Sequence, residues 1–99
     1  MIIYVDIDET ICNTPEDRDY NKSTPILKNI NKINKLYDDG NTIIYWTARG
    51  SGSGKDWYEL TGKQLKKWGV KFHKYMVGKP MYDLFICDKA INSNDFFNT

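Results

Sequence analysis

A run of four apolar residues, Ile2-Ile3-Tyr4-Val5, opens straight onto Asp6-Ile7-Asp8, and this junction constrains the chain more than any other stretch. The run is β-branched and aromatic with no polar break, which predicts a short, fully buried strand. Side chains alternate along a strand, so Asp6 and Asp8 fall on one side of its C-terminal tip. Two carboxylates that close repel, and one must keep a proton unless a cation lies between them. The pair therefore points to a metal site or to an acid/base pair. Two ordinary turn residues leaving a strand would look the same.

The rest of the chain supplies more strand tips. After a polar excursion over residues 9–24, with room for a helical turn or a small hairpin, Ser23-Thr24-Pro25 predicts a helix start with proline at the first helical position. Ile26, Ile30, Ile33 and Tyr37 recur at helical spacing, and Gly40 ends the pattern. Thr42 to Trp46 is a second strand, closing on Thr47-Ala48-Arg49. Thr61 fits a helix cap, with the helix running to Trp68; Gly62 would cost about 1 kcal/mol mid-helix, which argues against an earlier start. Val70 to Val77 is a third strand, followed by Gly78-Lys79-Pro80. Leu84 to Cys87 is a fourth, ending at Asp88, and residues 92–99 have room for one helical turn carrying Phe96 and Phe97.

Alternating strands and helices in one chain of 99 residues predict a single α/β domain over 1–99 with a mostly parallel sheet. The expected strand order is third, second, first, fourth, in a three-layer Rossmann-like arrangement. Ligands of such sheets bind outside the carboxyl ends of the strands. That rule selects Asp6, Asp8, Thr47, Lys79 and Asp88. The glycine-serine stretch Gly50 to Lys55 superficially looks like a phosphate-binding loop. It has Arg49 where that motif needs glycine and Asp56 where it needs Ser or Thr, so it reads as a mobile loop beside the site.

Asp6-Ile7-Asp8-Glu9-Thr10, Thr47 in Tyr45-Trp46-Thr47-Ala48-Arg49, Lys79 in Gly78-Lys79-Pro80, and Asp88 in Ile86-Cys87-Asp88 resemble the four ordered motifs of the haloacid dehalogenase superfamily. More narrowly, the whole chain is similar to its small capless phosphatases, some of them linked to capsule sugar metabolism. The resemblance implies a Mg²⁺-dependent phosphomonoester phosphatase. Asp6 would be the nucleophile that forms an aspartyl-phosphate, and Asp8 the acid and then the base. Thr47 would donate to a phosphoryl oxygen, and Lys79 would offset charge on the phosphoryl group and on Asp6. Asp6, the backbone carbonyl of Asp8, and Asp88 would hold the metal, with Thr47, Ala48, Arg49 and Lys79 as the substrate-binding set.

Close members carry two adjacent acids at the last motif, where this chain has Cys87 before Asp88. Cys87 is expected to be a small buried hydrophobe at a strand end. Asp83 is the weaker substitute ligand, because it begins that strand. Arg49 is expected either to contact a substrate anion or to pair with Asp56. His73 reads as structural, and the Lys63, Lys66, Lys67 group as a solvated helix face. Rival readings are a non-catalytic phosphate-binding or interaction module on the same fold, and a nucleic-acid-end phosphatase. Dehalogenation is disfavoured, because Asp8 supplies the acid that phosphoester cleavage requires.

Fourteen basic against thirteen acidic residues leave a net charge of +1, which offers no global attraction for nucleic acid or an anionic membrane. No apolar run reaches transmembrane length. Cys12 and Cys87 read as free thiols in a reducing, cytoplasmic setting. A small phosphorylated metabolite, such as a sugar phosphate, is the expected partner. Neither residues 9–24 nor residues 48–78 can hold a cap domain. An open site is therefore expected, with cover from the 9–24 excursion, the Gly50–Gly54 loop, or a second copy in a homo-oligomer.

Overall fold

The structure, a computed structural model, describes residues 1–98. In chain order it contains strand β1 (Ile2–Val5), strand β2 (Cys12–Asn13), a 3₁₀ turn (Tyr20–Lys22), strand β3 (Thr24–Pro25), helix α1 (Leu27–Asp38), strand β4 (Thr42–Trp46), helix α2 (Tyr58–Lys67), strand β5 (Lys74–Met76) and helix α3 (Ser93–Phe97). β1, β4 and β5 form one parallel sheet in the order β1-β4-β5, while β2 and β3 pair antiparallel as a separate ribbon. The register sets Ile2 opposite Thr42 and Val5 opposite Tyr45, and Trp46 opposite Met76. All three tips of the main sheet therefore point the same way. Among the described residues no helix is long and apolar enough to cross a membrane.

The period of each element explains its burial. β4 is the central strand, and its alternate residues Ile43 and Tyr45 are fully buried, as is Thr47 just beyond it. α1 lays Ile30 and Ile33 into the same core, three residues apart on one face. Gly40, at φ +99°, ends that helix in a backbone conformation that an L side chain rarely adopts. Phe97 of α3 closes the core from the C-terminal end, with Asn92 capping the turn.

Five expectations change. β1 is not buried throughout: it is an edge strand, with Ile2 71% exposed and Tyr4 also exposed. Pro25 does not open α1; its residue is committed to the β2–β3 ribbon, opposite Cys12, and the helix starts at Leu27. α2 begins at Tyr58 rather than after Thr61. The Asp56 carboxylate takes the Tyr58 N–H at 2.9 Å, and the Thr61 hydroxyl donates back to the Trp57 carbonyl at 2.8 Å instead of capping. β5 is shorter than expected, because His73 bends the chain there. Its N–H donates to the Ile43 carbonyl at 2.9 Å, and its Nδ1 accepts the Ile43 N–H at 3.1 Å, so its role is structural.

The fourth strand is absent, so the sheet has three strands and β1 keeps a free edge. Leu84, Phe85 and Ile86 are exposed, Ile86 at 89%. The chain leaving β5 is tethered on the β4 side. Lys79 donates its N–H to the Thr47 carbonyl at 3.1 Å, and its own carbonyl accepts from the Ser51 hydroxyl at 2.7 Å. Tyr82 and Phe85 then pack on each other, ring centres 5.4 Å apart, instead of crossing to β1. A short apolar run has strand propensity, but it becomes a strand only with a hydrogen-bonding partner.

Candidate functional site

The tips of the parallel strands open onto a cleft of about 710 Å³. β1 delivers Asp6 and Asp8, β4 delivers Thr47, Ala48 and Arg49, and the segment after β5 delivers Lys79, so these six expected site residues line one cleft. The 9–24 excursion adds Arg18 and Tyr20, and the segment before α2 adds Lys55 and Trp57. Asp88, the remaining expected member, is exposed and does not line it.

Asp6 faces the cleft with 41% of its side chain exposed, and its Oδ1 lies 3.6 Å from the Lys79 ammonium. Burial by the surrounding protein pushes the Asp6 carboxyl up. Lys79 and the Ile7 N–H pull it down, the Asp8 charge adds a smaller upward push, and the net direction is up. Thr47 is almost wholly buried, and its Oγ1 accepts the Arg49 N–H at 3.1 Å. Accepting that bond does not use the hydroxyl proton.

Asp8 has a different environment. Arg49 grips it with a fork: Nε donates to Oδ2 at 3.0 Å and Nη2 to Oδ1 at 2.8 Å. Thr14 donates its hydroxyl to Oδ1 at 2.5 Å, and the Cys12 thiol donates to the same oxygen at 3.5 Å. Burial alone would raise the Asp8 carboxyl; the Arg49 hydrogen bonds and charge, with Thr14 and Cys12, outweigh it and hold Asp8 below the usual carboxylate range. The same burial, with the Asp8 charge nearby, pushes the Cys12 thiol up to about 12.

The Arg49 side chain is itself fully buried. A guanidinium has five N–H donors, and here all of them meet protein acceptors. Beyond the two on Asp8, Nη1 serves Gln64 Oε1 at 2.6 Å and Thr61 Oγ1 at 3.2 Å, and Nη2 reaches Ser23 Oγ at 3.5 Å. The alternatives expected for Arg49 are therefore replaced by a third. Asp56 is occupied by the Tyr58 N–H, and no guanidinium donor is left open to a substrate anion.

Among the described residues no three His, Cys, Asp or Glu side chains gather into a group that could hold a metal ion. Asp88 does not join Asp6 and Asp8, because the strand that would carry it is not formed. Cys87 is likewise exposed and not a buried hydrophobe; its thiol lies 3.8 Å from Asp88 Oδ1. The donor set does not complete the expected Mg²⁺ site of Asp6, the Asp8 carbonyl and Asp88, because Asp88 stands outside the cleft. It fits a leaner one, since Mg²⁺ is commonly held by one or two carboxylates, several waters and the oxygens of a bound phosphate. Asp6 is the open carboxylate for that.

Gln64, Thr14 and Tyr20 were not legible as site residues. One signal was present: Thr61 and Gln64, three apart, put polar groups on the buried face of α2 beside Leu65. Such a pair in a core-facing stripe requires a partner, here Arg49.

No family model matches the chain, and no curated protein matches it. It is similar in structure to a target protein from Vibrio cholerae, known from a crystal structure. The TM-score is 0.83 at 25% sequence identity, over 99% of this chain and 88% of that one. That likeness shows the fold.

Proposed function

We propose that this chain is a phosphomonoester phosphatase of the haloacid dehalogenase type, on a Rossmann-like domain without a cap. The observation that carries the reading is the Asp6–Lys79 pair at 3.6 Å in a cleft floored by Thr47, at the carboxyl ends of three parallel strands. An anionic nucleophile must approach an anionic phosphate, and this arrangement brings a cation and a hydroxyl donor to the same place. Asp6 attacks phosphorus and the bond to the leaving alcohol breaks, giving an aspartyl-phosphate. Lys79 and the Thr47 hydroxyl hold the phosphoryl oxygens. Inside the Arg49 fork Asp8 is ionised and is not the acid that the resemblance implies: the alcohol takes its proton from water in the open cleft, and Asp8 takes one from the water that releases phosphate. Mg²⁺, held by Asp6 and the Asp8 carbonyl with the phosphate itself, would screen the remaining repulsion. A small phosphorylated metabolite in a cytoplasmic setting completes the reading.

The position of Asp88 favours a second reading, a non-catalytic phosphate-binding module on the same fold, since fold alone does not decide activity. Turnover of aryl and sugar phosphates with Mg²⁺, run beside Asp6→Asn, separates the two. The phosphatase reading expects hydrolysis that Asp6→Asn abolishes. A folded protein that binds phosphate but turns over nothing in the panel leaves the module. Strongly salt-dependent binding of a phosphorylated oligonucleotide would instead mark a nucleic-acid end as the substrate.

A further inference from the structure

Taking the phosphatase reading as its basis, we propose that Arg49 is the positioning residue of this site: it fixes the Asp8 carboxylate beside Asp6 and ties it to α2 and the Tyr20 turn, without touching substrate. A buried cation persists only when it is paired and hydrogen-bonded. The Arg49 side chain has 0% exposure, and the acid it takes is the one two residues from the nucleophile. Both Asp8 oxygens are engaged by the fork, which fixes the plane of the carboxylate and not merely its distance.

The contacts beyond that pair are what a plain ion pair would not need. Gln64 accepts from Nη1 at 2.6 Å and passes its own Nε2–H to the Tyr20 carbonyl at 2.5 Å. The Tyr20 ring in turn lies against the guanidinium, 4.6 Å from its centre. The bracket closes on itself, from the end of β4 to α2, to the 9–24 excursion, and back. The excursion that walls the cleft is thus locked to the same group that aims Asp8. With its donors spent inside, Arg49 has none for a phosphate, and that task falls to Lys79 and Thr47.

The test is a double-mutant cycle on hydrolysis of 4-nitrophenyl phosphate with Mg²⁺, whose leaving group departs without a donated proton, so Asp8→Asn loses only the base of the second step and the slow phosphate release that remains is the rate compared on that background. Lysine keeps the charge of Arg49 but cannot fork. Arg49→Lys is expected to lower kcat on the order of 100-fold, as small misplacements in a site do, with KM within about twofold and an unchanged far-UV spectrum. On the Asp8→Asn background the same change should cost less than about twofold, because the group it positions is gone. An equal loss on both backgrounds would make Arg49 a structural residue only, and a raised KM with kcat kept would make it a substrate contact; either overturns the proposal. If Arg49→Lys does not fold, or Asp8→Asn is too slow to measure, Gln64→Leu decides, by whether kcat falls at constant KM. Nuclear magnetic resonance gives an arm that needs no activity: the Arg49 Nε–H should be protected from exchange in the wild type and exposed in Asp8→Asn. Lack of protection in the wild type refutes the bracket. Absent wild-type turnover refutes the phosphatase reading and the positioning role with it, and persistent protection then marks a fold tie.

Discussion

Asp6 and Asp8 stand two positions apart yet are driven in opposite directions, Asp6 up by burial and Asp8 down by the Arg49 fork. Their effects on folding follow with opposite sign. Asp8, held below its ordinary value of 3.8, contributes stability that is present above that value and lost as the pH falls through its folded pKa. Asp6, held above 3.8, costs stability that grows as the pH rises from that value through its folded pKa and is full above it. Asp6→Asn should therefore abolish turnover and raise the melting temperature at neutral pH. The gain should vanish on acidification below the ordinary value, which thermal melts across pH would reveal. A lower melting temperature at pH 7 would mean that Asp6 is held chiefly by Lys79. The two thiols offer a second contrast. Cys12 is buried with its pKa pushed up to about 12, while Cys87 is exposed. A thiol reagent at pH 8 should modify one cysteine rapidly in the folded protein and the second only after denaturation. Fast modification of both would contradict the packing of Cys12. At this scale the sequence identified residues better than partners. Asp6, Thr47 and Lys79 could be picked from strand tips, but the Arg49–Asp8 fork joins residues 41 apart, which no local pattern encodes.

At the scale of elements, β4 and α1 were legible because each repeats one period against one core. The start of α2 is not readable from the sequence, because a glycine such as Gly62 is costly inside a helix. The structure gives the reason for that glycine: a Cβ there would collide with the Tyr75 hydroxyl. Tyr75 cannot move away freely, being stacked on Tyr58 at 4.5 Å and edge-on to Phe72 at 5.7 Å. Two effects oppose each other in Gly62→Ala. Helix propensity gains about 1 kcal/mol, whereas overpacking a fitted contact costs typically about 1–3 kcal/mol. Net destabilisation is expected, read as a lower denaturant midpoint with an unchanged slope. A gain in stability would show that Tyr75 gives way easily. The Leu84–Cys87 run misleads for a different reason. Its composition is that of a strand, but pairing is a property of two segments, and this run stays exposed and outside the sheet.

Across the whole molecule, the two places where a covering domain could sit are filled by little. The 9–24 interval holds one antiparallel ribbon and a 3₁₀ turn, and the 48–78 interval a loop, α2 and β5. The resulting cleft of about 710 Å³ is far larger than a phosphate needs, and the Asp6 side chain remains 41% exposed. Its wall beyond the phosphate end carries Trp57 with Lys55 lying over the ring at 4.4 Å, both on the segment leading into α2. Solvent that stays in an open cleft weakens each charge pair, because the effective dielectric stays high. Lys79 and Thr47 alone should therefore bind inorganic phosphate only at millimolar concentrations, a free energy of about −4 kcal/mol. Calorimetric titration of phosphate into the monomer, with and without Mg²⁺, measures this directly. A larger phosphorylated substrate that reaches Trp57 and Lys55 should bind more tightly than phosphate, and Trp57→Ala should erase that difference while leaving the affinity for phosphate itself unchanged. Micromolar binding of phosphate by a proven monomer would refute the open-cleft account. Affinity that rises with protein concentration would instead show that a second copy supplies the missing wall.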